Sequence, residues 1–140
     1  MDKEISEFLE RIRETASGTF WDYVGAELRT LAPERVEVTL HVQAHHLNTF
    51  GILHGGVSAT LLDSAMGLVA MAARPRDTVV TTNLHLHYVA PVKQGRLNVT
   101  AEIVHSSRKL ITTQGHVYDE SGALCTFGTG TFRVLEKKTP

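Results

Sequence analysis

Apolar residues recur along this chain with two different periods, and the changes of period divide it into elements. In residues 2–16, Ile5, Phe8, Leu9 and Ile12 fall at helical spacing with charges opposite them. That spacing predicts an amphipathic helix ending near Ser17-Gly18. A strand is expected over residues 23–31, closed by the Ala32-Pro33-Glu34 turn. The pattern then alternates: Val36, Val38, Leu40 and Val42 face one way, and Glu37, Thr39, His41 and Gln43 the other. This is the signature of a half-buried antiparallel strand. Residues 44–53 have no period and read as a loop.

Residues 57–73 are apolar almost all round, so the helix expected there should be enclosed rather than laid on a surface. Arg74-Pro75-Arg76-Asp77 closes it, because proline biases the residue before it away from helix. Four strands follow, over 78–90, 96–105, 109–119 and 123–135, and the tail 136–140 is expected to fray. The order helix, two strands, long helix, four strands predicts an α+β fold with a curved antiparallel sheet wrapped around the long helix. Residues 1–19 form the additional N-terminal helix and 20–136 the main domain.

Composition narrows the function classes. A chain of 140 residues, 42% apolar and 21% charged, suits one soluble domain with one core. A formal charge of −1 supplies no basic field for nucleic acid or an anionic membrane, so a polyanionic ligand needs a local basic patch. Cys125 is the single cysteine, which rules out an intrachain disulfide and fits a reducing cytoplasm. It falls in a strand pattern and reads as a small core residue. Residues 57–73 approach the length of a membrane span, but Asp63 near their middle would be costly in lipid. The charged start Met1-Asp2-Lys3-Glu4 does not look like a signal peptide. A soluble protein without a membrane partner is expected.

The chemistry concentrates in residues 48–63. Gly55-Gly56 at a loop-to-helix junction lets backbone approach a ligand, and the first helical turn presents unpaired N–H groups. Such donors can stabilise an oxyanion, although many helices follow glycine for packing alone. Asp63 is the one charge in the apolar helix, and a buried carboxylate needs a partner, water or a catalytic role. Neighbouring hydroxyls such as Thr60 or Ser64 would also satisfy it. Gly56 and Asp63 are seven residues apart, roughly 10 Å along a helix. They cannot easily serve one carbonyl from the same helix. Two antiparallel helices related by a two-fold axis would place Asp63 of one subunit opposite Gly55-Gly56 of the other.

The run Asn48-x-x-Gly51-x-x-His54-Gly55-Gly56, followed by Asp63, resembles the hotdog-fold thioesterase superfamily. It is most similar to its phenylacetic acid degradation (PaaI-like) and thioesterase superfamily member 2 group. Residues Thr81-Thr82-Asn83-Leu84-His85-Leu86-His87-Tyr88-Val89-Ala90-Pro91 also resemble that group's strand after the helix, with its aromatic-x-x-proline ending. The resemblance implies an acyl-CoA thioesterase in which the Gly55 N–H polarises the thioester carbonyl and Asp63 is general base or nucleophile. It further implies that Asn48 positions the water or its loop, that Thr81 helps hold water and that His54 positions the thioester or the glycine loop. Gly56, Thr82, Arg108 and Lys109 are the substrate-binding residues it implies, the last two meeting the phosphates of CoA. Arg74 and Arg76 are a second possibility for that contact. An aspartate rather than a glutamate at position 63 favours the aspartate branch. No cofactor is expected, since CoA belongs to the substrate. A homodimer forming the site, within a homotetramer, is implied. The alternatives are a non-catalytic acyl-CoA-binding protein or a hotdog dehydratase or hydratase. Aromatic and medium-chain acyl groups both remain open.

Other candidates carry less. His85 and His87 share a strand face, but no third ligand stands at supporting spacing, so no metal is expected. His45-His46 reads as solvated loop. Ser58 and Ser64 lack the strand-turn-helix elbow of a serine nucleophile.

Overall fold

The structure is a computed structural model that describes residues 3–136. The parts of the expected N-terminal helix and tail at residue 2 and residues 137–140 lie outside the described residues. The elements are α1 (Lys3–Ala16), α2 (Phe20–Val24), β1 (Glu27–Ala32), β2 (Arg35–His41), a 3-10 turn (Ala44–His46), α3 (Gly55–Ala73), β3 (Thr78–Tyr88), β4 (Arg96–Ser106), β5 (Leu110–Tyr118) and β6 (Leu124–Leu135). All pairings are antiparallel, in the order β1-β2-β4-β5-β6-β3. The sheet packs on α3 through β2, β3, β4, β5 and β6, which is the hotdog arrangement.

Three expectations need correction. The strand expected over 23–31 begins only at Glu27, because Phe20–Val24 forms a single helical turn. Gly25 closes that turn at φ +90, donating its N–H to the Trp21 carbonyl, and the Gly18 N–H meets Asp22 Oδ2 at 3.0 Å. Burial of Val24 against the core outweighs the strand preference of this aromatic-rich segment. Thr39, expected on the outer face of β2, is buried and accepts a hydrogen bond from Nε of Arg29, whose side chain reaches it from the neighbouring strand β1, at 3.0 Å. The β3 strand stops at Tyr88, where the Val89 and Ala90 N–H groups both turn to the Cys125 carbonyl.

Inside the curve, Leu61, Leu62, Ala65, Met66, Val69 and Ala70 of α3 meet Val36, Val38, Leu97, Val99, Ile111, Val117 and Phe132 of the sheet. Fully burying each large side chain contributes about 1.5–3 kcal/mol. Gly115 allows this approach, since a Cβ there would stand 2.8 Å from Leu62 Cδ2 and 3.1 Å from the Thr100 carbonyl. The expected full enclosure of the helix holds only for this inner side. Val57, Ala59, Thr60, Asp63 and Ser64 remain half-buried, on the open side of α3. The β3 strand is a free sheet edge that leaves Val80 and Leu84 exposed.

Candidate active site

The loop before α3 is fixed by a histidine. His46, expected in solvated loop, is 3% exposed. Its Nδ1 accepts the Gln43 N–H at 2.9 Å, so Nε2 carries the proton and donates to the Val24 carbonyl at 2.8 Å. The His46 carbonyl in turn accepts the His54 N–H at 2.9 Å. Asn48 Oδ1 gathers the N–H groups of Phe50 (2.9 Å) and Ile52 (3.3 Å), closing the intervening turn. Its carbonyl oxygen is therefore engaged, while its amide donors are left for the neighbouring cleft.

His54 caps α3. Its Nδ1 accepts the Gly56 N–H at 2.7 Å and its carbonyl accepts the Val57 N–H at 2.9 Å. The Gly55 N–H has no intrachain hydrogen bond among the described residues. It stands at the positive end of a 19-residue helix. Tyr88, at the end of β3, donates its hydroxyl to the Gly55 carbonyl at 2.7 Å, and its ring would be 3.3 Å from a Cβ at Gly55. Sequence reasoning missed this contact, although the aromatic-x-x-proline ending was its signal. Asn48, Gly55, Ser58, Tyr88 and Pro91 share a cleft of about 320 Å³.

Asp63 lies elsewhere. Thr81 donates its hydroxyl to Asp63 Oδ1 at 2.7 Å, whereas Thr60 donates to the Gly56 carbonyl at 2.8 Å. The carboxylate is thus held by β3 rather than by Thr60, and Oδ2 has no hydrogen bond among the described residues. Asp63 and Thr81 line a second cleft of about 330 Å³ between α1, α3 and β3. The two clefts share no lining residue. One chain therefore holds the open helix N-terminal N–H and the carboxylate in separate places.

The family model of the thioesterase superfamily matches residues 50–126, a span that includes Gly55, Asp63, Thr81 and Tyr88. The chain belongs to the thioesterase superfamily. The proofreading thioesterase EntH of Cronobacter turicensis is 29% identical over 118 residues, covering 84% of this chain and 86% of the relative. The solved structure of a thioesterase from Haemophilus influenzae superposes with a TM-score of 0.85 at 25% identity, covering 91% of this chain and 90% of that one. A mutant of the phenylacetic acid degradation protein PaaI from Thermus thermophilus gives a TM-score of 0.77 at 32% identity, covering 83% of this chain and 98% of that one.

The other expected site residues of this superfamily member fall in different places. Thr82 donates its hydroxyl to the Thr131 carbonyl at 3.0 Å and lines neither cleft. Arg108 and Lys109 occupy the β4–β5 turn, where Arg108 Nε lies 3.6 Å from Glu136. Arg74 binds the same turn through the Ser106 hydroxyl and the Ser107 and Arg108 carbonyls. Arg76 pairs with Glu4 at 3.4 Å. These cations gather at the far end of α3, about 27 Å along the helix from Gly55. His85 and His87 meet edge to face at 4.8 Å, and His87 stacks on Phe127. No group of three metal-ligating side chains forms among the described residues. Cys125 is buried, and that burial, followed by the charge of Asp119, pushes its thiol pKa up.

Proposed function

We propose that this protein is an acyl-CoA thioesterase whose active site is completed by a two-fold dimer. In this reading Asp63 of one subunit acts on a thioester held at Gly55 of the other. The observation that carries it is the separation of the two groups. They lie on one helix roughly 12 Å apart and open into different clefts, whereas a base and an oxyanion donor must each reach the reacting group at about 3 Å. The unpaired β3 edge, with Val80 and Leu84 exposed beside Thr81, suits pairing with a second copy. The acyl-CoA substrate class is supported by a relative named acyl-coenzyme A thioesterase 13 from mouse, 32% identical over 84 residues that cover 59% of this chain.

Asp63 Oδ2 orients a water and takes its proton as the water oxygen attacks the thioester carbonyl. Thr81 meanwhile holds Oδ1. The carbonyl oxygen becomes an oxyanion facing the Gly55 N–H and the helix dipole. Collapse of the tetrahedral adduct breaks the C–S bond, and the CoA thiolate recovers the proton. Water and thioester thus give carboxylic acid and thiol, with no cofactor required. Asn48 amide donors and the His54 cap hold the reacting end. Arg108 and Lys109 are the proposed phosphate contacts.

The test uses two variants. Gly55→Pro removes the N–H donor at the first helical position, where proline is favoured, after a residue already extended at φ −63 and ψ 134. The Tyr88 ring, 3.3 Å from a Cβ at this position, must give by a few tenths of an ångström, so the unfolding midpoint is measured alongside. Turnover should fall about 10²–10³-fold at a near-native midpoint. Asp63→Ala should also be inactive. Mixed and reassociated, the two should recover about a quarter of wild-type activity, because random pairing makes half the dimers mixed, each with one intact site. No recovery on mixing would place the whole site within one chain and overturn the reading.

A further inference from the structure

The cleft beside Asp63 has a composition that selects among acyl groups, and the following rests on the thioesterase reading. Asp63, Ser64, Gly67, Leu68 and Met71 follow one face of α3 for about 12 Å. The opposite walls are Ile12, Thr15 and Ala16 of α1, Trp21, and Val79 and Phe132 of the sheet. Apart from Asp63, Ser64 and the indole of Trp21, every lining residue is apolar or has its hydroxyl engaged: Thr15 donates to the Arg11 carbonyl, Thr19 to the Ala16 carbonyl and Thr81 to Asp63. Among the described residues of one chain, no cation lines the cleft. The nearby Arg11 guanidinium is turned to the Pro75 carbonyl at 2.9 Å.

We infer that this cleft is the acyl site, that it takes a neutral, apolar acyl group, and that Gly67 and α1 set how long a group it accepts. A terminal carboxylate on the acyl chain would lose its water with no counter-charge from the described residues, in a cleft whose one acidic side chain among them is Asp63. Dicarboxylic acyl groups are therefore excluded. Gly67 is one helical turn beyond Asp63 and leaves the middle of the cleft open. A Cβ there would stand 3.5 Å from Phe132 Cε1, an ordinary contact, so Gly67→Ala fills the cleft without disturbing the core. Ile12 lines the same cleft from the α1 side, which the core residue Phe8 anchors to the domain.

Trp21 is the chain's single tryptophan and lines the cleft, so binding can be read without turnover. The probes are hydrolysis-proof thioethers of CoA carrying butyl, octyl or a carboxyl-terminated chain of octyl length. Each buried methylene is worth roughly fourfold in affinity. Octyl should shift Trp21 emission and bind at least about tenfold more tightly than butyl, and at least about tenfold more tightly than the carboxylated chain. Gly67→Ala should cut the octyl-over-butyl preference at least about threefold, and Ile12→Ala should raise it. Equal binding of the carboxylated probe, or an unchanged preference in both variants, would overturn the inference. Thiol release from acyl-CoA with silent Trp21 removes this cleft assignment but leaves the thioesterase reading. A responding Trp21 with no thiol released from any acyl-CoA does the reverse.

Discussion

Replacing Asp63 by asparagine removes a charge while leaving its shape, and the structure fixes what should follow. The carboxylate is half-buried, its hydrogen bond comes from the Thr81 hydroxyl to Oδ1, and no salt bridge reaches it among the described residues. The amide oxygen of asparagine can accept the same bond. Removing the charge also relieves its desolvation, so folding stability should change by no more than about 1 kcal/mol in either direction. The proposed reaction loses its proton acceptor instead. General-base contributions of 10²–10⁴ imply a fall in kcat of about a thousandfold, or about 4 kcal/mol of barrier. Because the group acts in the transition state, kcat should fall and KM should change little. Released CoA thiol is read with a thiol-reactive chromophore, to which buried Cys125 adds no background. A kcat within tenfold of wild type, at an unchanged unfolding midpoint, would refute Asp63 as the base. A drop of several kcal/mol in stability would instead refute the statement that its charge is not used by the fold.

Thr81→Val should lower kcat about tenfold to a hundredfold, the value of a hydrogen bond to a charged group, with Thr81→Ser restoring it; equal kcat for Thr81→Val and wild type would remove its positioning role. His46→Ala should cost about 2–4 kcal/mol, seen as a lower urea midpoint, because it strands the Gln43 N–H and the Val24 carbonyl. The raised pKa of Cys125 makes the folded state hold its proton longer than the unfolded chain does. That contribution to stability is fully present below the unfolded thiol pKa of about 8.5 and is lost as pH rises through the folded value. Urea midpoints should therefore fall at alkaline pH, with a shallower slope in Cys125→Ala, and native Cys125 should alkylate far more slowly than the unfolded chain.

What the sequence made legible is what depends on neighbours in the chain. The 109–119 strand is found as Leu110–Tyr118, and the 57–73 helix starts only two residues earlier, at Gly55. Both are long enough for period to outweigh local preference. The Phe20–Val24 turn is too short to show a period, and only Gly25 hinted at its end. The burial of His46 depends on a carbonyl 22 residues away, so no local pattern could distinguish it from exposed His45. The same holds for the site. Gly55 and Asp63 stand out because each is anomalous in its own segment. The Thr81 bond to Asp63 spans 18 positions and the Tyr88 bond to Gly55 spans 33, and both exist only because β3 returns beside α3.

Under the proposed mechanism the distance between Gly55 and Asp63 also has a chemical reason. A carboxylate within reach of a helix N-terminus caps it, accepting the very N–H groups that an oxyanion would need. Had the acid stood in the first turn of α3, base and oxyanion donor would have neutralised each other in the resting protein. Here the cap is His54, a neutral acceptor that takes the Gly56 N–H and leaves that of Gly55. The acid is two turns away, held by Thr81. In the dimer reading the two meet only across the interface, with the thioester between them. In that reading the donor and the base do not pair with each other before substrate bridges them, so assembly would supply what one helix could not hold without quenching itself.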